Sequence, residues 1–127
     1  MSDVYQQNYR KLEKIFGKNW FNLKHIVLKN EPYMKLHFEK LGDNHFAMAH
    51  YYEQNGDLVA DPDMEIKTHP ELKMVEALTY QDSYGYRRVY PDSENPNMIN
   101  VTAKVSLNKF LAFWLKNIIT QGFKLSA

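Results

Sequence analysis

Asn55-Gly56 limits the fold of this chain more than any other pair of residues, because it stands between two runs of alternating side-chain character. Asn-Gly fills both central positions of the two-residue turn whose twist matches antiparallel strands. Before it, Phe46 to Gln54 reads as a strand with Phe46, Met48 and His50 on one face and Ala47, Ala49 and Tyr51 on the other. After it, Asp57 to Lys67 returns as the partner strand. Pro62 interrupts that segment and, lacking a ladder N–H, marks an edge strand or a bulge. The rest of the chain must therefore be arranged around a hairpin.

The other extended segments follow the same logic. Asn22 to Leu28 and Pro32 to Leu41 read as strands, the second with Met34, Leu36 and Phe38 alternating against Lys35, His37 and Glu39. Gly42-Asp43-Asn44 turns the chain into the central hairpin. His69-Pro70-Glu71 breaks it again, and Met74 to Gln81 with Tyr84 to Tyr90 form a second hairpin around Asp82-Ser83. Pro91 to Asn97 reads as a loop, and Ile99 to Val105 as a short extended segment.

Both ends read as helical. Tyr5, Tyr9, Leu12 and Phe16 recur at helical spacing from Asp3 to Phe16, with Asp3 and Gln6 as a capping pair and Gly17 as the stop. Ser106 is the expected cap of a long C-terminal helix. There Leu107, Phe110, Leu111, Trp114, Leu115, Ile118 and Ile119 make one stripe, opposite Asn108, Lys109, Lys116, Asn117 and Thr120, and Gly122 is the stop. Phe113 falls off the stripe. Hairpin connections without βαβ alternation predict an α+β fold: a curved antiparallel sheet of about five to six strands with both terminal helices packed on it.

Composition removes several functions. A chain of 127 residues with 44% hydrophobic content has room for one domain, taken as residues 1–127. Lys and Arg number 16 against 15 Asp and Glu, a balance that supports neither a strongly basic nucleic-acid binder nor an acidic mimic. With no cysteine there is no disulfide, thiolate zinc site or thiol nucleophile. The start of the chain lacks the pattern of a signal peptide, and no apolar run reaches the ~20 residues that cross a bilayer, so a cytoplasmic protein is expected, without membrane contact. G-x-S-x-G, P-loop and dinucleotide patterns are missing, and no cofactor is implied.

Four stretches carry a resemblance. His50-Tyr51-Tyr52-Glu53-Gln54-Asn55-Gly56-Asp57-Leu58, Asp61-Pro62-Asp63-Met64-Glu65, Tyr80-Gln81-Asp82 and the run from Phe110 to Phe123 resemble a domain-of-unknown-function family of small bacterial proteins carried on plasmids and integrative or conjugative mobile elements. The resemblance implies a mobile-element setting and an accessory role in element maintenance or evasion of host defence. It carries no catalytic residue.

Two groups of residues hold candidate chemistry. Asp57, Asp61, Asp63 and Glu65 supply hard oxygen donors for Mg²⁺, Mn²⁺ or Ca²⁺, and on a regular strand the last three point the same way. Such a site would serve phosphodiester hydrolysis; the plainer reading is a solvated strand face. Tyr80, Tyr84, Tyr86, Arg87, Arg88 and Tyr90 crowd the second hairpin, in residue types that dominate protein interfaces and stack single-stranded bases. Their plainer reading is ordinary strand alternation, with Arg87 or Arg88 paired to the acidic strand. His50 and Glu53 have H-x-x-E spacing but sit on opposite strand faces, and His25, His37, His45 and His69 are scattered.

The reading preferred from sequence is a non-enzymatic module that binds a protein partner through Tyr52, Asp57, Tyr80, Tyr86, Arg87 and Arg88. A divalent-metal enzyme using Asp57, Asp61, Asp63 and Glu65 is the competing reading, and single-stranded nucleic-acid binding the third. The sequence fixes neither the oligomeric state nor whether the protein is an enzyme.

Overall fold

The computed structural model describes residues 3–91, 95 and 97–125. Helix α1 (Val4–Phe16) starts where the Asp3 side chain accepts a hydrogen bond from the Gln6 backbone N–H at 2.9 Å. Tyr9, Leu12, Ile15 and Phe16 form its buried stripe, and Gly17, at φ +97°, ends it by donating its N–H to the Glu13 carbonyl. A short turn, Trp20–Asn22, places Trp20 in the core, so the first extended segment begins later than the sequence predicts.

Among the described residues seven strands form one antiparallel sheet: β1 (His25–Leu28), β2 (Leu36–Gly42), β3 (His45–Gln54), β4 (Asp57–His69), β5 (Met74–Ala77), β6 (Thr79–Asp82) and β7 (Gly85–Arg88). Their order is β1-β2-β3-β4-β6-β7, with β5 pairing a farther stretch of β4. The sheet has more strands than predicted because the first arm of the second hairpin divides at Leu78. The Leu78 N–H bonds the Glu65 carbonyl at 2.8 Å, and the Thr79 hydroxyl accepts from the Glu65 N–H at 3.1 Å. Asn55 and Gly56 take the positive φ values, +54° and +85°, that the central turn requires.

Pro62 makes a bulge, not an edge. Ala49 pairs with Asp63 and Tyr51 with Ala60, which leaves an additional residue on β4, while β4 itself lies inside the sheet between β3 and β6.

Helix α2 (Val101–Thr120) corrects two expectations. Its cap is Asn100, whose side chain accepts from the Ala103 N–H at 3.0 Å, and the segment predicted as extended before Ser106 is its first turn and a half. Ala103 continues the buried stripe one turn before Leu107, and that packing overrides the β-branched preference of Val101, Thr102 and Val105. Asn108, placed by periodicity among the exposed polar positions, is only 2% exposed. Its amide oxygen accepts from the Ala77 N–H at 2.9 Å and its nitrogen donates to the Lys104 carbonyl at 2.7 Å, while Asn8 of α1 donates to the Asn108 carbonyl at 3.3 Å. A small polar network thus ties both helices to β5.

Gly122, at φ +87°, and the Phe123 N–H on the Ile118 carbonyl end α2. Both helices pack on the same face of the sheet, where Leu36, Phe38, Phe46, Met48, Met64 and Ile66 are fully buried. The result is α+β, and among the described residues no helix covers the other face of the sheet. The predicted loop from Pro91 to Asn97 falls partly outside the described residues, at 92–94 and 96. Among the described residues no helix is long and apolar enough to cross a membrane.

Candidate functional site

Strand alternation sorts the hairpin residues onto two faces. Tyr80 and Arg87 pair across β6 and β7 and turn toward α2. The Tyr80 ring meets Phe110 edge-on at 5.0 Å, and its hydroxyl donates to the Asp82 carboxylate at 2.8 Å. Burial, then that hydrogen bond and the charges of Asp82 and Asp61, push the Tyr80 hydroxyl up to about 12. Arg87 donates to the Ser106 hydroxyl at 2.6 Å, so the residue expected to cap α2 instead anchors an arginine. A small hollow of about 180 Å³ lies among Tyr80, Arg87, Ser106, Leu107 and Phe110.

Tyr86 and Arg88 take the opposite face. Both are exposed, Tyr86 by 53%, and Tyr84 at the turn is 96% exposed. The turn is held by Asp82, whose carboxylate accepts from the N–H groups of Tyr84 at 2.8 Å and Gly85 at 3.1 Å. The Tyr80 hydroxyl, then the Tyr84 N–H and last the Gly85 N–H, draw the Asp82 pKa below its ordinary value. Neither Arg87 nor Arg88 makes an ion pair among the described residues, so the pairing with the acidic strand is absent.

β7 is a sheet edge. All of its residues are exposed, and β6 is its sheet partner. Because the Val89 N–H bonds the Leu78 carbonyl at 2.9 Å, antiparallel alternation turns the N–H and C=O of Tyr86 and Arg88 away from β6.

Tyr52 and Asp57 belong to the other hairpin, paired with Val59 and Gln54. Since β4 and β6 run antiparallel through Asp63 and Gln81, both hairpin turns lie at the same end of the sheet. The six predicted binding residues nevertheless fall into two groups, because β6 and β7 lie level with the stretch of β4 from Asp63 onward while Tyr52 and Asp57 sit beside the central turn, and no hydrogen bond or ion pair joins Tyr52 or Asp57 to Tyr86, Arg87 or Arg88 among the described residues.

The bulge separates the acids. Asp63 and Glu65 share the uncovered face with Ala49 and Ala47, while the charge of Asp61 bears on His50 and Tyr80, which face the helices. Asp57 is at the start of β4, beside the turn. The expectation that Asp61, Asp63 and Glu65 point the same way therefore fails, because the additional residue at Pro62 breaks the alternation. Among the described residues no set of three or more His, Asp or Glu side chains is placed to hold a metal ion. Glu65 lies 2.8 Å from His45, and burial, then the charges of Glu65 and Glu39, raise the Asp63 carboxyl above its ordinary range.

A second recess was not legible in the sequence. The 29–35 segment, predicted in part as strand, arches past the end of the sheet, where Asn30 donates to the Gln121 carbonyl and the Tyr33 ring meets Phe123 at 6.3 Å. Against the uncovered face it encloses a cleft of about 400 Å³. Lys29, Asn30, Glu31, Tyr33, Met34 and Lys35 form one wall, and His37, Tyr51, Glu53 and Leu58 the other. The His37 and Tyr51 rings stand edge-on at 5.0 Å, and burial, then the charges of His25, Lys35 and His50, lower the His37 pKa.

Comparison with known proteins adds a family and no activity. No curated protein and no solved structure gives a significant match. Residues 7–124 match the model of a domain of unknown function, and this chain accordingly belongs to the DUF6908 family.

Proposed function

We propose that this protein is a non-enzymatic binding module whose partner protein adds an extended segment to the β7 edge. The observation that carries this reading is an edge strand, each residue of which is exposed, that presents Tyr86 and Arg88, next to Tyr84 at its turn. An edge of this kind supplies backbone hydrogen bonds to an incoming strand, and tyrosine and arginine supply side-chain anchors. Antiparallel pairing of two copies of β7 would set arginines near arginines, which disfavours self-association. The same charges favour a partner segment with acidic residues. We further propose, from the family resemblance of its motifs, that the protein is an accessory protein of mobile DNA, acting in element maintenance or evasion of host defence in a bacterial cytoplasm.

Tyr86→Pro tests the edge directly. It removes an outward N–H while leaving the bonds between β6 and β7 in place. A partner captured from cell extract by the wild-type protein and by Tyr86→Phe, but lost with Tyr86→Pro, supports strand addition, as does slowed amide exchange at Tyr86 and Arg88 in the complex. Equal capture by the proline variant overturns it. Salt-sensitive binding of a single-stranded oligonucleotide that Tyr86→Ala abolishes would favour the nucleic-acid reading instead.

A further inference from the structure

The cleft beneath the 29–35 segment carries an inference independent of the β7 edge. Its volume of about 400 Å³ lies within the range of small-molecule sites, roughly 300–1,000 Å³. Its apolar surface is supplied by Tyr33, Met34, Tyr51 and Leu58, three of which count among the large apolar side chains exposed in the structure. An exposed apolar group inside a recess is a surface that a ligand would cover at a gain.

Charge narrows the ligand class. Lys29, Lys35, Glu31 and Glu53 also line the cleft, two of each sign. Among the described residues the ion pairs within 4.0 Å are His45–Glu65 and His69–Glu76, so none of these four charges neutralises another. A singly charged ligand would leave one sign facing it unfavourably. A zwitterion meets both, its carboxylate toward the lysines and its ammonium toward the glutamates. Among the aromatic walls, Tyr51 presents its ring edge-on beside that of His37.

We propose that this cleft binds a small zwitterion with an apolar or aromatic side chain, of the class of a free aromatic α-amino acid. The probe is L-phenylalanine, titrated against the intact protein and followed by NMR at Tyr33, Met34, Tyr51 and Leu58. 3-Phenylpropionate lacks the ammonium and phenethylamine lacks the carboxylate, so each loses one half of the recognition. L-phenylalanine is expected to bind about fivefold more tightly than either analogue, the scale of one partly exposed charge pair. Glu53→Gln should remove its advantage over 3-phenylpropionate alone, and Lys35→Gln its advantage over phenethylamine alone. Both side chains are exposed, so neither change threatens folding. The proposal falls if L-phenylalanine leaves those resonances unmoved, if it binds no better than the analogues, or if both variants weaken all three probes alike.

Discussion

Two neighbouring rows of residues cross the same strands and have opposite fates. Ile26, Phe38, Met48 and Met64 run beneath the helices, and the last three are fully buried. One residue away, Val27, His37, Ala49, Asp63, Gln81 and Tyr86 run across the uncovered face and end at the β7 edge. The first row is large and apolar; the second mixes small, titratable and aromatic side chains. The difference teaches where to look for function: the covered row has its contacts completed by α1 and α2, and the uncovered row leads to both the cleft and the edge strand. If that division is real, substitutions on the two faces must separate by several-fold in stability. Trp20→Ala should show the largest loss, about 3–5 kcal/mol, because Trp20 is 0% exposed and contacts Tyr9, Phe38 and Phe46 through its ring. Leu58→Ala, on a side chain 70% exposed, should stay within about 0.5 kcal/mol. Urea unfolding of both variants checks the contrast, and comparable losses would break it.

Polar residues under the helices sharpen the same comparison. Asn108→Leu keeps the volume but strips the Ala77 N–H of its acceptor, leaving a buried donor unpaired at about 1–3 kcal/mol. The expected result is a lower denaturation midpoint together with faster amide exchange at Ala77. An unchanged midpoint would mean that the network tying α1, α2 and β5 together is dispensable.

That network also shows which parts of the fold a sequence can disclose. Helical period, the Asn-Gly turn and strand alternation depend on nearby residues, and they located α1, the central hairpin and most of α2. Asn108 reads as a surface residue because its angular position lies away from the Leu107–Leu111–Trp114 stripe; what buries it is α1, whose placement is a tertiary fact. Ser106 and Asn100 are both competent caps, and Ala103 decided between them by packing. Pro62 announced a bulge, but not that the bulge would send Asp61 and Asp63 to opposite faces. The hairpin tyrosines and arginines were legible as a binding set by residue type alone. Which of them remain free was not, because Arg87 found Ser106 and Tyr80 found Phe110 on a distant helix. The cleft depends on a loop meeting the far side of a sheet, and no local pattern encodes that.

The smallest expected effect is the one that most finely separates the two faces, because it reverses sign between them. His50 is buried against Trp114 and Phe123, and burial lowers its pKa despite hydrogen bonds to the Lys35 and Met34 carbonyls and the charge of Asp61. The folded state therefore takes up its proton at a lower pH than the unfolded state does. Stability falls as pH drops below the unfolded value of 6.5, until the folded ring is protonated too. Asp63 behaves oppositely. Burial and the neighbouring carboxylates raise its pKa, so the folded state binds the proton first and stability from this group rises as pH falls toward 3.8. At neutral pH its ionised form costs the fold, and Asp63→Asn should stabilise by about 0.5 kcal/mol after allowance for solvent screening. That gain should vanish below about pH 4. His50→Gln should flatten the decline below the ordinary histidine range, whatever it does to absolute stability. Melting curves between about pH 3 and 8 resolve both slopes, and a destabilised Asp63→Asn at pH 7 would show that the carboxylate is held by a favourable contact on the uncovered face.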